Sequence, residues 1–160
     1  MSVHLGAIGA TNDGAELLMK TETSVDGPST AMPYAAPDRK ALRVMVVDDH
    51  VDSLLSVGRL LRVLGYDVRG ARDGVEALSC AARFRPDVSL IDLSLPGLDG
   101  CDVARRMRAL EATRDTRLIA MTGWATEESE SRTREAGFDL HLVKPLSVTA
   151  ITDALSGGHG

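Results

Sequence analysis

The chain has 160 residues, with 18 Lys and Arg against 23 Asp and Glu and a formal net charge of -5. That acidic balance excludes a general nucleic-acid binder, which needs a concentrated basic face. Hydrophobic residues at 44% and charged residues at 26% exclude wholesale disorder and fit one globular domain with sequence to spare, whose core must be aliphatic because aromatic residues supply only 3%.

Residues 1–40 carry scattered Gly, Ser, Thr and Pro, including Gly27-Pro28-Ser29-Thr30, Pro33 and Pro37, and read as a disordered extension. Within it, Ala15-Glu16-Leu17-Leu18-Met19 has the length of a helical turn or two, too short to be stable alone. The amino terminus lacks a basic region followed by an apolar one, and no apolar run approaches the roughly 18 residues that span a bilayer, so a cytoplasmic location is expected.

From Leu42 the texture changes. Apolar runs of strand length alternate with longer segments of helical period, the pattern of β-α-β units and a parallel sheet. The strands are expected at Arg43–Val47, Tyr66–Arg69, Asp87–Ile91, Arg117–Met121 and Leu140–Val143, several nearly continuous in apolar residues, as strands covered on both faces must be.

The first helix is predicted over Asp52–Leu64, with Leu54, Val57, Leu61 and Leu64 as its apolar stripe and Gly65 as its stop. The second starts after Asp73, with Glu76 completing a capping-box pattern and Pro86 beyond its end. A third begins near Asp99-Gly100 and turns Val103, Met107 and Leu110 inward. Its arginines Arg105, Arg106 and Arg108 read as a solvated face. The fourth, Ala125–Ala136, is poor in apolar residues, with Glu127, Glu128 and Glu130 early and Arg132 and Arg134 late, as the helix dipole favours. The last follows Ser147 as cap, with Val148, Ile151 and Leu155 facing inward. Cys80 and Cys101 fall in helical segments without a metal-ligand or CxxC spacing and read as reduced packing thiols.

Strict alternation of five strands and five helices predicts an α/β fold, a doubly wound five-stranded parallel sheet with the flavodoxin-like order 2-1-3-4-5 in a three-layer sandwich. Such sheets bind ligands beyond the carboxyl ends of their strands. There the sequence places Asp48-Asp49 after strand one, Asp92 after strand three, Thr122 after strand four and Lys144-Pro145 after strand five. Only the edge strand ends without a notable group, in Gly70-Ala71-Arg72. Taken singly, Asp48 and Asp49 would suit a helix cap and Asp92 a turn before Pro96-Gly97. Brought together, three carboxylates repel one another unless a hard divalent cation intervenes, and Mg²⁺ takes oxygen ligands while leaving room for a phosphoryl oxygen. Lys144 adds a compact positive charge and Thr122 a hydroxyl, a set that matches phosphoryl transfer to an aspartate.

The segments Val47-Asp48-Asp49, Leu90-Ile91-Asp92 with Leu95-Pro96-Gly97-Leu98-Asp99-Gly100, Met121-Thr122-Gly123 and Leu142-Val143-Lys144-Pro145 together resemble the response-regulator receiver domain of two-component systems, the CheY-like fold. The resemblance runs from about Leu42 to Leu155, so the expected organisation is an extension over 1–40, a receiver over 41–156 and a tail over 157–160. It implies that Asp92 is the phosphoacceptor, that Mg²⁺ is held by Asp49, Asp92 and the Ser94 backbone carbonyl with Asp48 assisting, and that Lys144 pairs with the phosphoryl group. It further implies that Thr122 swings to hydrogen-bond that group, that Lys144-Pro145 is cis, and that Ser94 and Trp124 modulate how fast water reaches the acyl phosphate. One position departs from the pattern: the switch residue three before the lysine, usually Tyr or Phe, is His141.

The implied partners are a sensor histidine kinase or a histidine phosphotransfer protein, and a protein target on the face of the fourth helix, fifth strand and fifth helix. Only Ser156-Gly157-Gly158-His159-Gly160 follows Leu155, so a stand-alone receiver that signals by protein contact is expected. It is expected to act as a phosphoacceptor rather than an enzyme, catalysing its own phosphotransfer and dephosphorylation. The alternatives are a relay intermediate passing phosphate onward, an Asp-nucleophile phosphatase, and a receiver-shaped module that is never phosphorylated. The phosphatase needs Asp-x-Asp after strand one, which Asp48-Asp49-His50 does not supply; the unphosphorylated module is opposed by the complete acid, threonine and lysine set. A dinucleotide fold would need a glycine-rich loop at the first strand end.

Overall fold

The computed structural model describes residues 40–157. The expected extension before Lys40, the Ala15-to-Met19 segment and the last three residues lie outside the described residues. In chain order the elements are β1 (Arg43–Val47), α1 (Val51–Val63), β2 (Asp67–Ala71), α2 (Gly74–Phe84), β3 (Val88–Asp92), α3 (Gly100–Ala109), β4 (Arg117–Thr122), α4 (Glu127–Ala136), β5 (Leu140–Val143) and α5 (Val148–Ser156). The strands form one parallel sheet in the order β2-β1-β3-β4-β5, so the alternation seen in the sequence resolves into the expected doubly wound fold.

The near-continuous apolar strands follow from burial on both faces. Met45, Val47, Ile91, Leu118 and Ala120 pack with Ala77, Ala81, Val103, Met107 and Ala136, while Val44, Val46, Leu90, Ile119 and Met121 pack with Leu61, Ile151 and Leu155. Alternate residues of each strand thus serve opposite layers. The five-residue β3 is buried throughout, which fixes Asp92 at its carboxyl end. By contrast, β5 is an edge strand whose Leu140 and Val143 are exposed.

Several local expectations are corrected. β2 extends through Gly70 and Ala71 because β1 pairs residue for residue with it as far as Val47 and Ala71. Leu64 is exposed: α1 ends one residue earlier, and half-buried Leu60 fills the inward position beside Leu61. Leu110 is exposed because, as the C-cap of α3, its backbone turns extended and leaves the helix. Val148, the first residue of α5, is likewise exposed. Asp73 caps α2 by accepting from the Glu76 amide, but the Glu76 carboxylate accepts from the Arg72 amide rather than from Asp73, so the reciprocal box is not formed. The reciprocal box occurs instead at Thr126 and Ser129, which sets the start of α4.

Arg108 is not part of a solvated face. Its guanidinium donates to the carbonyls of Gly137, Arg114 and Thr116 and to the Asp139 carboxylate, clamping the end of α3 to the entrances of β4 and β5. Gly137, in the left-handed region at φ 97°, leaves room for this side chain, since a Cβ there would stand 2.9 Å from Arg108 Cγ. Arg105 and Arg106 are exposed as expected, Arg105 pairing with Asp102. Cys80 and Cys101 are free, and burial pushes both thiols up, which suits packing rather than reactivity.

Candidate functional site

The strand order brings the carboxyl ends of β1, β3, β4 and β5 side by side. At the first, Asp48 is 1% exposed, yet every strong demand of its carboxylate is met. Oδ1 accepts from the His50 amide at 2.9 Å, and Oδ2 accepts from Ser53 Oγ at 2.7 Å and from Lys144 Nζ at 2.9 Å. Burial alone pulls this carboxyl up, but the hydrogen bonds from Ser53, Lys144 and His50 and the lysine charge outweigh it, and the group is held below its ordinary value.

Asp92, at the end of β3, is 4% exposed. Its Oδ2 accepts from Lys144 Nζ at 2.6 Å, and its Oδ1 from the Ser94 amide at 2.9 Å. One ammonium therefore bridges the two most buried carboxylates of the site. Burial pulls the Lys144 ammonium down, but its bonds and charge pairing with Asp92 and Asp48 prevail and raise it above its ordinary value. The Lys144–Pro145 peptide is cis.

Asp49 differs from its neighbours. Its Oδ1 is a buried atom with no hydrogen-bond donor. His50 Nδ1 stands 3.1 Å from it and 3.4 Å from Asp48 Oδ1, at ion-pair range but without the geometry of a hydrogen bond to Asp49. Ligand atoms of Asp48, Asp49, His50 and Asp92 lie within 4.8 Å of one another. An unsatisfied carboxylate oxygen beside two buried carboxylates is what a hard divalent cation would complete, so the donor set fits Mg²⁺.

The remaining expected residues are placed less directly. Thr122, at the end of β4, donates from Oγ1 to the Trp124 carbonyl at 3.1 Å and accepts from the Trp124 amide, so its hydroxyl is committed to its own loop. Trp124 is 82% exposed. Ser129 Oγ, 2.8 Å from the Thr126 carbonyl, also reaches the Trp124 carbonyl at 3.3 Å, tying that loop to the first turn of α4. His141 is half-buried on β5, with Nδ1 3.4 Å from Thr133 Oγ1 and a buried Nε2 that has no partner. It lines a cavity of about 310 Å³ with Glu130, Thr133, Arg134 and Phe138. Ser94 is exposed.

Two participants escaped the sequence reading. Ser53 lies five residues beyond Asp48, where the first turn of α1 brings its hydroxyl back to the strand end. His50 precedes α1 as its N-cap residue without capping through its side chain. Spacing from Asp48 on a helix start was the available signal for Ser53.

The comparisons with known proteins agree on one family. The family model described as the response regulator receiver domain matches residues 44–156. Among curated proteins, the chain is 33% identical over 138 residues to the sensor histidine kinase RcsC of Escherichia coli, covering 84% of this chain and 14% of that protein. It is 40% identical over 104 residues to the transcriptional regulatory protein PrrA of Mycobacterium tuberculosis, covering 65% of this chain and 44% of the relative. The chain thus spans less than half the length of these relatives. Among solved structures, the chemotaxis protein CheY4 of Vibrio cholerae superposes with a TM-score of 0.70 at 28% identity, over 72% of this chain and 97% of that one. The receiver domain of a Pseudomonas aeruginosa sensor histidine kinase, crystallised with a magnesium ion coordinated in its active site cleft, superposes with a TM-score of 0.67 at 32% identity, over 72% of this chain and 95% of that one.

Proposed function

Because the chain belongs to the response regulator receiver domain family, we propose that it is a phosphorylation-driven signalling module in which Asp92 takes the phosphoryl group. Receiver domains of two-component systems accept phosphate on an aspartate with Mg²⁺ and interact with sensor histidine kinases or phosphotransfer proteins; they are signalling modules rather than classical enzymes. The observation that carries the assignment to Asp92 is its position at the end of buried β3 with Lys144 Nζ 2.6 Å from Oδ2.

In the proposed step, a carboxylate oxygen of Asp92 bonds to phosphorus in line as the donor's P–N bond breaks. Lys144 then neutralises charge on the transferring oxygens. Bound Mg²⁺ would supply further neutralisation, held by Asp49, Asp92 and the Ser94 carbonyl with Asp48 assisting. The Thr122 hydroxyl would exchange the Trp124 carbonyl for a phosphoryl oxygen. Because Ser129 Oγ reaches both that carbonyl and the carbonyl of the α4 cap Thr126, the exchange would pull on the start of α4 and bias packing around His141, α4, β5 and α5. Trp124 and Ser94 are proposed to modulate water access, and the module is taken as residues 41–156.

The signal is proposed to leave by protein contact on the α4-β5-α5 face, in the cytoplasm. Among the described residues, no helix is long and apolar enough to cross a membrane. A second reading, a relay intermediate that passes phosphate to a histidine phosphotransfer protein, is favoured by the likeness to a sensor histidine kinase and a virulence sensor protein of which this chain matches only a small part.

The test is incubation with acetyl phosphate and Mg²⁺, read by intact mass, with beryllofluoride and Trp124 fluorescence as a parallel readout. Wild type is expected to gain one adduct and Asp92→Asn none; a wild type that takes up nothing overturns the assignment. Pull-down with and without beryllofluoride then separates a contact effector from a relay carrier.

A further inference from the structure

The family pattern accounts for the carboxylates, Lys144 and Thr122, but not for the imidazole beside them. His50 is held by its own backbone: its amide donates to Asp48 Oδ1 at 2.9 Å, which sets the residue at the lip of the acidic cluster. Its side chain is 73% exposed and makes no cap, so the start of α1 does not depend on it. It nevertheless directs Nδ1 to within 3.1 Å of Asp49 Oδ1, the buried oxygen that has no hydrogen-bond donor.

That separation has a coordination meaning. Neighbouring ligands of an octahedral ion with bonds of about 2.1 Å stand about 3.0 Å apart, and opposite ligands about 4.2 Å apart. His50 Nδ1 and Asp49 Oδ1, at 3.1 Å, match an adjacent pair. The wider set of Asp48, Asp49, His50 and Asp92 falls within 4.8 Å, so modest adjustment would bring it around one ion. Asp48 has the least to offer, since its two oxygens already accept three hydrogen bonds, against two at Asp92.

We infer that His50 Nδ1 is a further metal ligand of this site, adding one nitrogen to its carboxylates and shifting its preference towards borderline first-row divalent ions such as Mn²⁺ and Co²⁺. This rests on the metal site of the proposed function and deepens it. The chemical reason is ligand type. Mg²⁺ is hard, favours oxygen and dehydrates reluctantly, so an added imidazole gains it little. Imidazole suits later first-row ions, whose affinities also rise along the series from Mn²⁺ to Cu²⁺. The site would then take its phosphoryl group at lower concentrations of such an ion than of Mg²⁺.

The experiment compares wild type, His50→Phe and Asp49→Asn at pH 8, using Mg²⁺, Co²⁺ and Mn²⁺ as the probes. Calorimetry gives the affinities for Mg²⁺ and Co²⁺, and electron spin echo modulation of bound Mn²⁺ detects a directly coordinated ¹⁴N. His50→Phe should weaken Co²⁺ binding about tenfold while leaving Mg²⁺ binding within about twofold. The nitrogen modulation should be present in wild type and absent in His50→Phe. Asp49→Asn sets the background from other histidines of the chain. Since the His50 side chain is exposed and caps nothing, the variant should fold, which far-ultraviolet circular dichroism checks. If both ions bind and the variant changes them equally, or Mn²⁺ shows no nitrogen coupling that the variant removes, the inference falls and the Mg²⁺ site stands. If wild type binds no ion above the Asp49→Asn background, the metal reading fails with it.

Discussion

Gly100 opens α3 directly behind the proposed phosphoacceptor, and its missing side chain is a spatial requirement. A Cβ at this position would stand 2.9 Å from Leu93 Cα and 3.1 Å from the Asp92 carbonyl carbon, and closer still to the Asp92 carbonyl oxygen. Ordinary contacts of a Cβ begin at 3.4 Å, so the Asp92–Leu93 backbone would have to yield by about half an ångström or more, or α3 would have to back away. Gly100→Ala reduces unfolded-state freedom, which by itself stabilises by about 0.4–1 kcal/mol. Forcing a methyl into packed backbone costs about 1–3 kcal/mol. The net expectation is destabilisation of about 1–2 kcal/mol, read as a lower urea midpoint at unchanged slope. The same displacement moves the Asp92 carboxylate relative to Lys144, and misplacement of a reacting group by up to about 1 Å costs about a hundredfold in rate. Phosphorylation by acetyl phosphate, followed by intact mass, should therefore slow by about ten- to a hundredfold. Gly58→Ala in α1 is the control: its nearest neighbour is the flexible end of Arg62 at 3.5 Å, and it should stabilise by about 0.5–1 kcal/mol. If Gly100→Ala behaves like Gly58→Ala, more stable and phosphorylated at the wild-type rate, the close approach behind Asp92 is refuted.

Removing the bridging cation should change the pH profile of stability at both ends. Without divalent cation, Lys144 lies above its ordinary 10.5, so its contribution is complete below that pH and is lost as pH rises through the raised value. Asp48 lies below its ordinary 3.8, so its contribution is complete above that pH and is lost as pH falls through the lowered value. Lys144→Met should abolish the alkaline loss, start the acid loss at higher pH because burial then pulls Asp48 up, and gain more stability from saturating Mg²⁺ than wild type does. Urea midpoints across both limbs check this; parallel curves for the two proteins would contradict it. Arg108→Ala strips a charged fork from three carbonyls and Asp139 and should cost about 2–3 kcal/mol, with Arg108→Lys recovering less than half because an ammonium cannot span the same acceptors. Asp99→Ala loses the cap bond to the Asp102 amide and the pairing with Arg132, for about 1–2 kcal/mol by thermal denaturation.

The legible parts of this protein were those written in local pattern. Hydrophobic runs at strand length, Gly65 and Pro86 as stops, and Asp73 and Ser147 as caps gave the element order and hence the sheet, because parallel β-α-β units have few ways to pack. Once the order was known, Asp48, Asp49, Asp92 and Lys144 had to converge, with Thr122 at the neighbouring strand end, since each stands at or just past a strand end. What was not legible depended on long-range geometry. Arg108 looks like Arg105 and Arg106 in sequence; only the positions of Gly137, Thr116 and Asp139, supplied by two other loops, separate a clamp from a solvated charge. Leu64, Leu110 and Val148 have the right periodicity but sit at helix ends, where the helical rotation stops or the helix passes the edge of the core.

The direction of the Thr122 hydroxyl was also beyond the sequence, and it bears on how the proposed switch is loaded. In this structure Lys144 already neutralises Asp92 and Asp48, so a transferred phosphoryl group meets a cation that must be redirected rather than recruited. Asp48 tolerates that loss because Ser53 and the His50 amide still donate to it. Thr122 has no such slack. Its hydroxyl has one proton, and donating it to a phosphoryl oxygen means withdrawing it from the Trp124 carbonyl, which is then left to share the single Ser129 proton with the nearer Thr126 carbonyl. On the proposed mechanism, the bond that breaks on phosphorylation is thus the one Thr122 makes to the loop before α4, which would couple the chemistry at Asp92 to the start of α4 through a single proton.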